Sequence, residues 1–398
     1  MTAQRGDRFP ALDGMRALAS FAVVFTHVGY ATGRSLADDP VGPLLARGNF
    51  GVTVFFLLSG FLLYRPFAAY SFGLRREPRL RDYFVRRAAR IFPALWVAVA
   101  VTLAFISTFP SNWTNWASYF LLIQTYNHHD YDGNLGQLWT LVVEVSFYAL
   151  LPLLAKLVGG PQRGPDAVLR RHAAVLGAMV VATQLYNLAF YHRVITNLQS
   201  VLWLPNYLDW FAGGMALAVL TCVPAETRAL SRLRRSIRIW AGSGRSCAAV
   251  AAVLMALCLL PLGMPRNLAP GLFWQWTAEH YLFLGCAFFL LLPLVLGQPG
   301  RVAGVLGSPT ATLLGSLSYS VYLWHPQLMQ WFQREFGLTP FKGHFLPVLG
   351  LTLGSSLLVA AISWYVVEKP ILAYSSRWLR PRHNAEKAPI ASPVTQSS

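Results

Sequence analysis

The sequence has few charged residues, and acidic residues are the scarcer kind. Charged side chains make up 12% of the 398 residues, with 16 Asp and Glu against 33 Lys and Arg, whereas 55% of the residues are hydrophobic. The mean hydropathy is +0.44. A soluble domain of this size has no need for many apolar runs of about 20 residues, the length that spans the hydrocarbon of a bilayer. The composition therefore predicts a polytopic membrane protein.

Cysteine is scarce too, and the motifs of several enzyme classes are missing. The four cysteines (Cys222, Cys247, Cys258 and Cys286) lie in or beside apolar segments without paired spacing, which indicates neither a disulfide framework nor a metal site. No GxSxG, HExxH or Walker lysine motif occurs, so a serine hydrolase, a zincin and an ATPase all lack support. The formal net charge is +17, but no RNA-binding aromatic motif or zinc-finger spacing accompanies it, and we expect no nucleic-acid partner.

The apolar segments predict an all-α fold, a transmembrane helical bundle of about ten spans. Their length and composition are those of membrane-crossing helices. They cover residues 13–33, 50–67, 91–109, 137–158, 173–191, 198–222, 246–263, 278–297, 311–333 and 345–367. We predict a membrane domain over residues 1–372 and a cytoplasmic, partly disordered tail over 373–398, because the sequence after Arg382 has no helical periodicity.

The basic residues indicate the orientation of the spans. With these ten segments as spans, 26 Lys and Arg fall on one side of the membrane and six on the other. Cytoplasmic loops are enriched in Lys and Arg, so both termini are expected in the cytoplasm. The weaker stretch "NWASYFLLIQ" at 115–124 is too short to cross, and as a span it would invert every later loop. We interpret it as interfacial or re-entrant.

Two ionisable residues lie in the first apolar segment, "RALASFAVVFTH". Arg16 and His27 are eleven residues apart, which is about three helical turns, so they share one face. Arg16 is also in position to be a boundary anchor that snorkels and pairs with Asp13. His27 lies roughly 9 Å from the outer end of its helix, where an ionisable group is a functional candidate. A neutral histidine bonded to a neighbouring helix is the structural alternative.

Three further polar residues fall in a similar layer. Glu144 in "LWTLVVEVSFY" and His325 in "LSYSVYLWHP" are roughly 10 and 12 Å from the outer ends of their helices. Ser59 of "FFLLSGF" lies at a comparable depth. A shared site is the simplest explanation, because each group buried alone would cost several kcal/mol. For His325 and Ser59, a proline kink and a tight helix contact remain alternatives.

A basic cluster, "RDYFVRRAARIFP" at 81–93, is expected at the cytoplasmic face. Arg86 and Arg90 are four residues apart and therefore neighbours on a helix, and Arg87 lies beside them. Guanidinium groups bind phosphate in a bidentate manner. Ordinary anchoring of a helix end is the alternative interpretation.

Taken together, these motifs resemble a known family. Arg16 with ten residues before His27, "FFLLSGFLL" at 55–63, "RRAARIFP" at 86–93, "LWTLVVEVSFY" at 138–148 and "SYSVYLWHP" at 318–326 are similar to motifs of the acyltransferase-3 family of bacterial integral-membrane O-acyltransferases. The resemblance covers nearly the whole chain. It implies a ten-helix bundle in the bacterial cytoplasmic membrane that moves an acyl group, usually acetyl, from cytoplasmic acyl-CoA to a hydroxyl of a sugar or glycan.

The resemblance also implies residue roles. Arg16 and His27 match the Arg-x10-His motif that the family needs for transfer, and Glu144 matches its acidic position. Many members carry an additional SGNH hydrolase domain; we expect a form without one, which leaves acceptor choice open.

For the mechanism, we expect His27 to take the proton from the acceptor hydroxyl, with Glu144 orienting it. The arginines at positions 16, 86, 87 and 90 would hold the phosphates of CoA. Candidates for the oxyanion donor or for acceptor contacts are Ser59, Trp139, Tyr319, Tyr322 and His325. Acyl-CoA would be a cosubstrate, and no metal or tightly bound cofactor is expected. Direct transfer and a covalent acyl-histidine both remain open.

Other classes of membrane protein also carry intramembrane His, Glu and Arg. A secondary transporter or exporter would do so and should show repeat symmetry between its halves, which is not detected. A degenerate glycan-binding protein would be expected to have lost His27 or Glu144, and both are present.

Overall fold

The computed structural model describes residues 9–106, 113–126, 133–260, 264–266, 271–298 and 300–379. Within those ranges every regular element is a helix. The α-helices are α1 (Pro10–Ala31), α2 (Val41–Ala46), α3 (Phe50–Ser71), α4 (Leu80–Val101), α5 (Trp113–Phe120), α6 (Trp139–Val158), α7 (Pro165–Tyr191), α8 (Leu208–Cys222), α9 (Ser231–Gly242), α10 (Gly244–Leu259), α11 (Phe273–Leu296), α12 (Arg301–Leu306), α13 (Pro309–Glu335), α14 (Phe345–Ser363) and α15 (Lys369–Trp378). Short 3-10 segments are Arg34–Leu36, Gln124–Tyr126, Gly133–Leu138, Pro161–Arg163, Leu198–Leu202 and Leu204–Tyr207, and Thr102–Ile106 and Trp364–Glu368 are π-helical.

Each of the ten predicted apolar segments overlaps an α-helix among the described residues. Among the described residues, seven helical stretches are long and apolar enough to cross a membrane, and α9 with α10, bent by 94°, makes an eighth if the pair is one span. The all-α bundle with many candidate spans is therefore confirmed. The count of ten spans and the cytoplasmic location of the termini stay predictions.

Two of the ten predicted spans, α8 and α13, are not among the helices long and apolar enough to cross a membrane. The physical reason differs between them. With 15 residues, α8 is about 22 Å long, shorter than the roughly 30 Å of a bilayer core; the chain before it forms 3-10 turns instead of more α-helix. The 27-residue α13 is long enough but polar, because it carries candidate site residues. It packs between α1 and α14, so these polar side chains contact protein instead of lipid.

The weak stretch at 115–124 forms no long helix. The eight residues of α5 measure about 12 Å, and the chain turns at Leu122, which has a left-handed φ of 55°. A helix of this length does not cross a bilayer, which agrees with its exclusion from the predicted spans. Its interfacial placement remains a prediction.

The loops fall at two ends of the bundle, as the alternation of charge predicts. At one end, which we call the basic end, Asp166 in the first turn of α7 accepts hydrogen bonds from the backbone of Arg228 and Ala229 before α9. At the opposite end, Arg266 donates to the Ala37 carbonyl oxygen, and the Phe341 amide donates to the Ala31 carbonyl oxygen. Loops predicted to share a side of the membrane therefore contact one another.

The predicted boundary between residues 372 and 373 falls inside a helix. α15 runs through it and packs on α4, where the Arg81 guanidinium lies 4.3 Å from the centre of the Trp378 ring. Residues 380–398, which make up most of the predicted tail, lie outside the described residues. The division of the chain stays a prediction.

The centre of the bundle is α3, which packs against α8, α1, α6 and α11. Glycines allow α3 and α8 to approach closely, because a Cβ at Gly60 would meet the Phe211 carbonyl oxygen at 2.3 Å and one at Gly214 would meet that of Leu57 at 1.9 Å. Small residues at helix crossings are the usual means of association in membranes, where lipid is as apolar as leucine.

We predict that Gly214→Ala destabilises the bundle, because the new methyl group would overlap backbone atoms of α3. Overpacking of this kind costs roughly 1–3 kcal/mol. Thermal unfolding of the purified protein in detergent should show a lower midpoint. Gly177→Ala on α7 is the matched control, since nothing lies within 4 Å of the added Cβ. Equal midpoints for the two variants would contradict the close crossing.

Candidate active site

Helices α1, α3, α4, α6 and α13 enclose a cavity that we call the arginine cavity. Residues that line it toward the basic end are Arg16, Leu63, Arg87 and Arg90, and residues that line it farther along are Val52, Ser59, Thr140, Glu144, Tyr148, Tyr319 and Tyr322. Along α3, the eleven residues from Leu63 to Val52 correspond to about 16 Å. The cavity therefore extends through roughly half the thickness of a bilayer core.

The three arginines of this cavity lack strong partners within the protein. Arg16 approaches only Asp13, at 3.9 Å, and neither Arg87 nor Arg90 makes a hydrogen bond or ion pair with a described residue. A single carboxylate, that of Glu144, lines the cavity with them. Three guanidinium groups and one carboxylate leave an excess of positive charge, which suits a polyanionic ligand.

Arg47, another buried arginine, has a structural role and serves as a comparison. Arg47 makes an ion pair with Glu279 at 2.7 Å and donates hydrogen bonds to the carbonyl oxygens of Cys258 and Met264. Its donors are used in holding the loops at the opposite end of the bundle. Arg87 and Arg90 have no such arrangement, so their guanidinium groups are available to a ligand.

The structure changes the choice of arginines within the predicted basic cluster. Arg87 and Arg90, three residues apart on α4, both line the cavity. Arg86 is exposed and does not line it. Arg86 and Arg90 are neighbours on α4, as their i, i+4 spacing predicts. The packing of α4, however, turns the face that carries residues 87 and 90 toward the cavity.

Glu144 is the centre of a hydrogen-bond network in the cavity. Its Oε1 accepts hydrogen bonds from the hydroxyl groups of Ser59 and Tyr148, the latter at 2.7 Å. Tyr148 follows Glu144 by one helical turn, so the i, i+4 spacing was a sequence signal for this contact. Ser59 is brought in by α3. The carboxylate thus joins α6 to α3 beside the three arginines.

The oxyanion candidates already donate hydrogen bonds within the protein. The Tyr319 hydroxyl donates to the Ile91 carbonyl oxygen at 2.8 Å, the Tyr322 hydroxyl lies 3.2 Å from the Gln137 carbonyl oxygen and 2.8 Å from Thr140 Oγ1, and Ser59 donates to Glu144. To bind an oxyanion, each would have to leave its present partner. Their assignment to that role stays a prediction.

His27 pairs with His325 across α1 and α13. His27 Nδ1 lies 2.8 Å from His325 Nε2, and the rings stack with centroids 4.9 Å apart. His325 is fully buried, and its Nδ1 lies 3.2 Å from the Val321 carbonyl oxygen. Pro326 follows and cannot donate a backbone hydrogen bond, which leaves carbonyl groups on this turn for the imidazole.

This chain of contacts determines the tautomers of both rings. A carbonyl oxygen only accepts, so His325 Nδ1 carries a proton and donates it to Val321. The Nε2 of a neutral His325 is then an acceptor, and His27 Nδ1–H donates to it. His27 Nε2 is left with its lone pair, and it has no hydrogen-bond partner among the described residues. His27 therefore presents an unprotonated nitrogen, as a general base requires.

The histidine pair lies next to the arginine cavity and is not part of its lining. Tyr322, which lines the outer part of the cavity, contacts the His325 ring with centroids 5.7 Å apart. One aromatic ring therefore separates the cavity from the pair. Arg16 and His27 are about 16 Å apart along α1, so they occupy opposite parts of the site, as their spacing predicts.

The expected partnership between Glu144 and His27 is not present. The hydrogen bonds of the Glu144 carboxylate go to Ser59 and Tyr148, and His27 is held by His325. The two residues were predicted to match because they are similarly distant from their helix ends. Depth gives no information about direction around a helix axis, and the packing of α13 against α1 puts His325 beside His27 instead.

Trp139 lies outside the arginine cavity. It lines a second cavity at the opposite end of the bundle, together with Arg47, Glu279 and His280. Arg47 pairs with Glu279, and His280 pairs with the buried Asp209; the sequence interpretation singled out neither pair. All four residues are ionisable groups in or beside apolar segments, which was the available signal. Within the described residues no group of three or more His, Cys, Asp or Glu is arranged to hold a metal ion.

Comparison with known proteins shows the family of the chain. The family described as "Acyltransferase domain" matches residues 9–367, so the chain belongs to this acyltransferase family. Relatives include nodulation protein 10 of Rhizobium leguminosarum bv. viciae, 27% identical over 90% of this chain and 92% of the relative. The peptidoglycan O-acetyltransferase OatA of Listeria monocytogenes is 21% identical over 91% of this chain and 55% of the relative.

A further relative is the O-acetyltransferase OatA of Staphylococcus aureus strain NCTC 8325, 23% identical over 91% of this chain. The chain spans just over half the length of the two OatA proteins, 55% and 57%. No solved structure gives a significant match to the chain.

We predict that His27 is the neutral Nδ1–H tautomer at neutral pH and that His325 imposes it. Nitrogen-15 NMR of histidine-labelled protein, with His27 assigned by comparison with His27→Ala, should show a protonated Nδ1 and a bare Nε2. In His325→Phe, which keeps a ring and removes the acceptor, the His27 signals should shift toward a tautomer mixture. Unchanged His27 shifts in that variant would contradict the hydrogen bond.

Proposed function

We propose that the protein is an integral-membrane O-acyltransferase that moves an acyl group, acetyl by preference, from acyl-CoA to a hydroxyl group of a carbohydrate. The observation that carries the proposal is a cavity that has the guanidinium groups of Arg87 and Arg90, without partners among the described residues, at one end. Tyr322 lines its other end and contacts the ring of His325, which pairs with His27. Family membership and the peptidoglycan O-acetyltransferase among its relatives support the reaction class and a carbohydrate acceptor.

The lining of the arginine cavity has residues that suit both the phosphates and the pantetheine arm of CoA. Arg16, Arg87 and Arg90 would bind the phosphates near the basic end, where an entrance from the cytoplasm is proposed. The wall also has apolar side chains, Phe55, Leu62 and Leu141 among them, interspersed with hydroxyl groups, which suits an extended pantetheine arm and an acyl chain. The thioester would then lie toward Tyr322 and the histidine pair.

In the proposed reaction His27 Nε2 accepts the proton of the acceptor hydroxyl while the oxygen of that hydroxyl attacks the carbonyl carbon of the thioester. The new C–O bond forms, the C–S bond breaks, and the proton passes from His27 to the leaving thiolate, which gives an ester and free CoA. His325 keeps His27 in the competent tautomer. Glu144 offsets the charge of the arginines and holds Ser59 and Tyr148 in the cavity wall.

An acyl-histidine intermediate at His27 would use the same lone pair as a nucleophile. Rapid quenching with radiolabelled acetyl-CoA in the absence of acceptor separates the two routes. Direct transfer predicts no label on the protein, and retained label would assign the covalent route.

We expect His27→Ala to lose at least about 100-fold in transfer rate, because a positioned general base contributes roughly 10²–10⁴-fold. The assay is acetyl transfer from labelled acetyl-CoA to glycan in membranes that contain equal amounts of each variant. Acetyl-CoA affinity should stay near that of the wild type, since His27 does not line the cavity. Appreciable turnover by His27→Ala would exclude it from the chemistry.

We expect Arg90→Ala to weaken acetyl-CoA binding by about 10- to 100-fold, which corresponds to a charged hydrogen bond worth roughly 1.5–3 kcal/mol. Isothermal titration or a CoA-competition assay on purified protein measures it. Arg86→Ala, an exposed arginine one turn away, is the matched control and should bind like the wild type. If the two variants lose affinity equally, the effect comes from surface charge, and the cavity assignment fails.

A further inference from the structure

A second cavity opens at the end of the bundle opposite to Arg87 and Arg90, and we call it the aromatic cavity. It lies among the C-terminal end of α1 and the N-terminal ends of α3, α6, α8 and α11. Its aromatic lining consists of Tyr30, Trp139, Tyr207, Trp210 and Trp276. Five large aromatic side chains thus line one cavity.

Two of these rings hold a histidine between them. The His280 ring stacks on Trp210 with centroids 4.4 Å apart, and the Trp276 ring, tilted by 31°, has its centroid 4.5 Å from that of His280. His280 Nε2 lies 2.8 and 2.9 Å from the two carboxylate oxygens of Asp209. The side chains of the pair are almost completely buried, with 2% and 0% of their surface exposed. The histidine is therefore held rigidly by stacking and by a carboxylate.

The other nitrogen of this ring has no partner. Because a carboxylate accepts hydrogen bonds, His280 Nε2 carries a proton. His280 Nδ1 makes no hydrogen bond with any described residue, yet the residue lines the aromatic cavity. A polar atom of a buried ring beside an open cavity, left unsatisfied by the protein, points to a ligand with hydroxyl groups.

The charges of the two cavities differ in a way that selects different ligands. In the aromatic cavity the Arg47 and Glu279 side chains form an ion pair at 2.7 Å, so their charges cancel. Arg47 also donates hydrogen bonds to two carbonyl oxygens. No unpaired guanidinium group lines it among the described residues. It is therefore unsuited to phosphate. Aromatic faces with a few fixed polar atoms suit a neutral ring that has apolar C–H faces and polar edges.

The aromatic cavity adjoins the proposed reaction centre. Val52 lines both cavities. Tyr30, at its wall, is three residues after His27 on α1 and therefore on the same side of that helix. Trp139 of the aromatic cavity directly precedes Thr140 of the arginine cavity. A molecule in the aromatic cavity would approach the histidine pair from the side opposite to the acyl donor.

We propose that the aromatic cavity is the acceptor site and that it binds a neutral pyranoside, stacked on Trp276 and hydrogen-bonded to His280 Nδ1. Which hydroxyl is acylated would then be determined by how far the stacked sugar extends toward His27. The proposal deepens the proposed function and rests on it for the transfer step. The binding itself is independent of any acyl donor.

The test uses the full chain in phospholipid nanodiscs, free of glycoside detergents, with chitotriose and maltotriose as neutral probes. Saturation-transfer NMR should show contact with at least one of them in the absence of acyl-CoA. Trp276→Ala should raise its Kd at least tenfold, and Trp276→Tyr, which keeps an aromatic face, should recover most of the affinity. Trp274→Ala on the same helix, exposed and outside the cavity, should bind like the wild type.

Failure of the site and failure of the proposed function give different results. Unaltered acetyl-CoA binding in each variant shows that the fold is intact. If neither neutral probe binds, if Trp276→Ala binds as well as Trp274→Ala, or if an anionic sialyl oligosaccharide binds in preference, the acceptor site is overturned. If the neutral probes bind as expected and no acetyl group moves from acetyl-CoA, the site stands and the proposed function fails.

Discussion

An ionisable group inside a membrane bundle must be paired, or it must have a ligand, because an isolated charge in hydrocarbon costs several kcal/mol. This constraint separates the polar residues of the protein into two sets. Arg47 pairs with Glu279 and joins the C-terminal end of α2 to α11, and Asp209 pairs with His280 Nε2 and joins α8 to α11. Arg87 and Arg90 have no such partner among the described residues. In the proposed function, this unpaired set binds the phosphates of the acyl donor.

The two cavities have opposite chemistry at opposite ends of the bundle. One has guanidinium groups and an apolar wall, and the other has aromatic rings and paired charges. They share Val52. Tyr322 of the arginine cavity contacts the His325 ring, and Tyr30 of the aromatic cavity follows His27 by three residues on α1. In the proposed reaction, this lets a donor and an acceptor from different sides of a membrane meet while most of each molecule stays outside the hydrocarbon.

α13 organises much of this arrangement. It carries Ser318, Tyr319 and Tyr322 into the arginine cavity and places His325 against His27 on α1. Pro326 interrupts its backbone hydrogen bonds, and the imidazole of His325 bonds to the Val321 carbonyl oxygen on the same turn. A helix this polar is stable in the bundle because α1 and α14 cover it. The requirements of the site explain why α13 lacks the composition of an ordinary span.

The sequence by itself determined the helical class and the approximate positions of the ten apolar segments. These depend on composition and on spacing along one helix, which a linear chain contains in full. It also indicated Arg16, Arg87 and Arg90 as candidates to bind phosphate groups. Only the tertiary structure decided that His27 pairs with His325 and Glu144 with Ser59, that Arg86 faces away, and that Asp209 and His280 meet. Those contacts depend on how each helix is rotated against its neighbours. That rotation is determined by packing between helix surfaces that are distant in the sequence. The spacing of residues along a single helix gives no information about it.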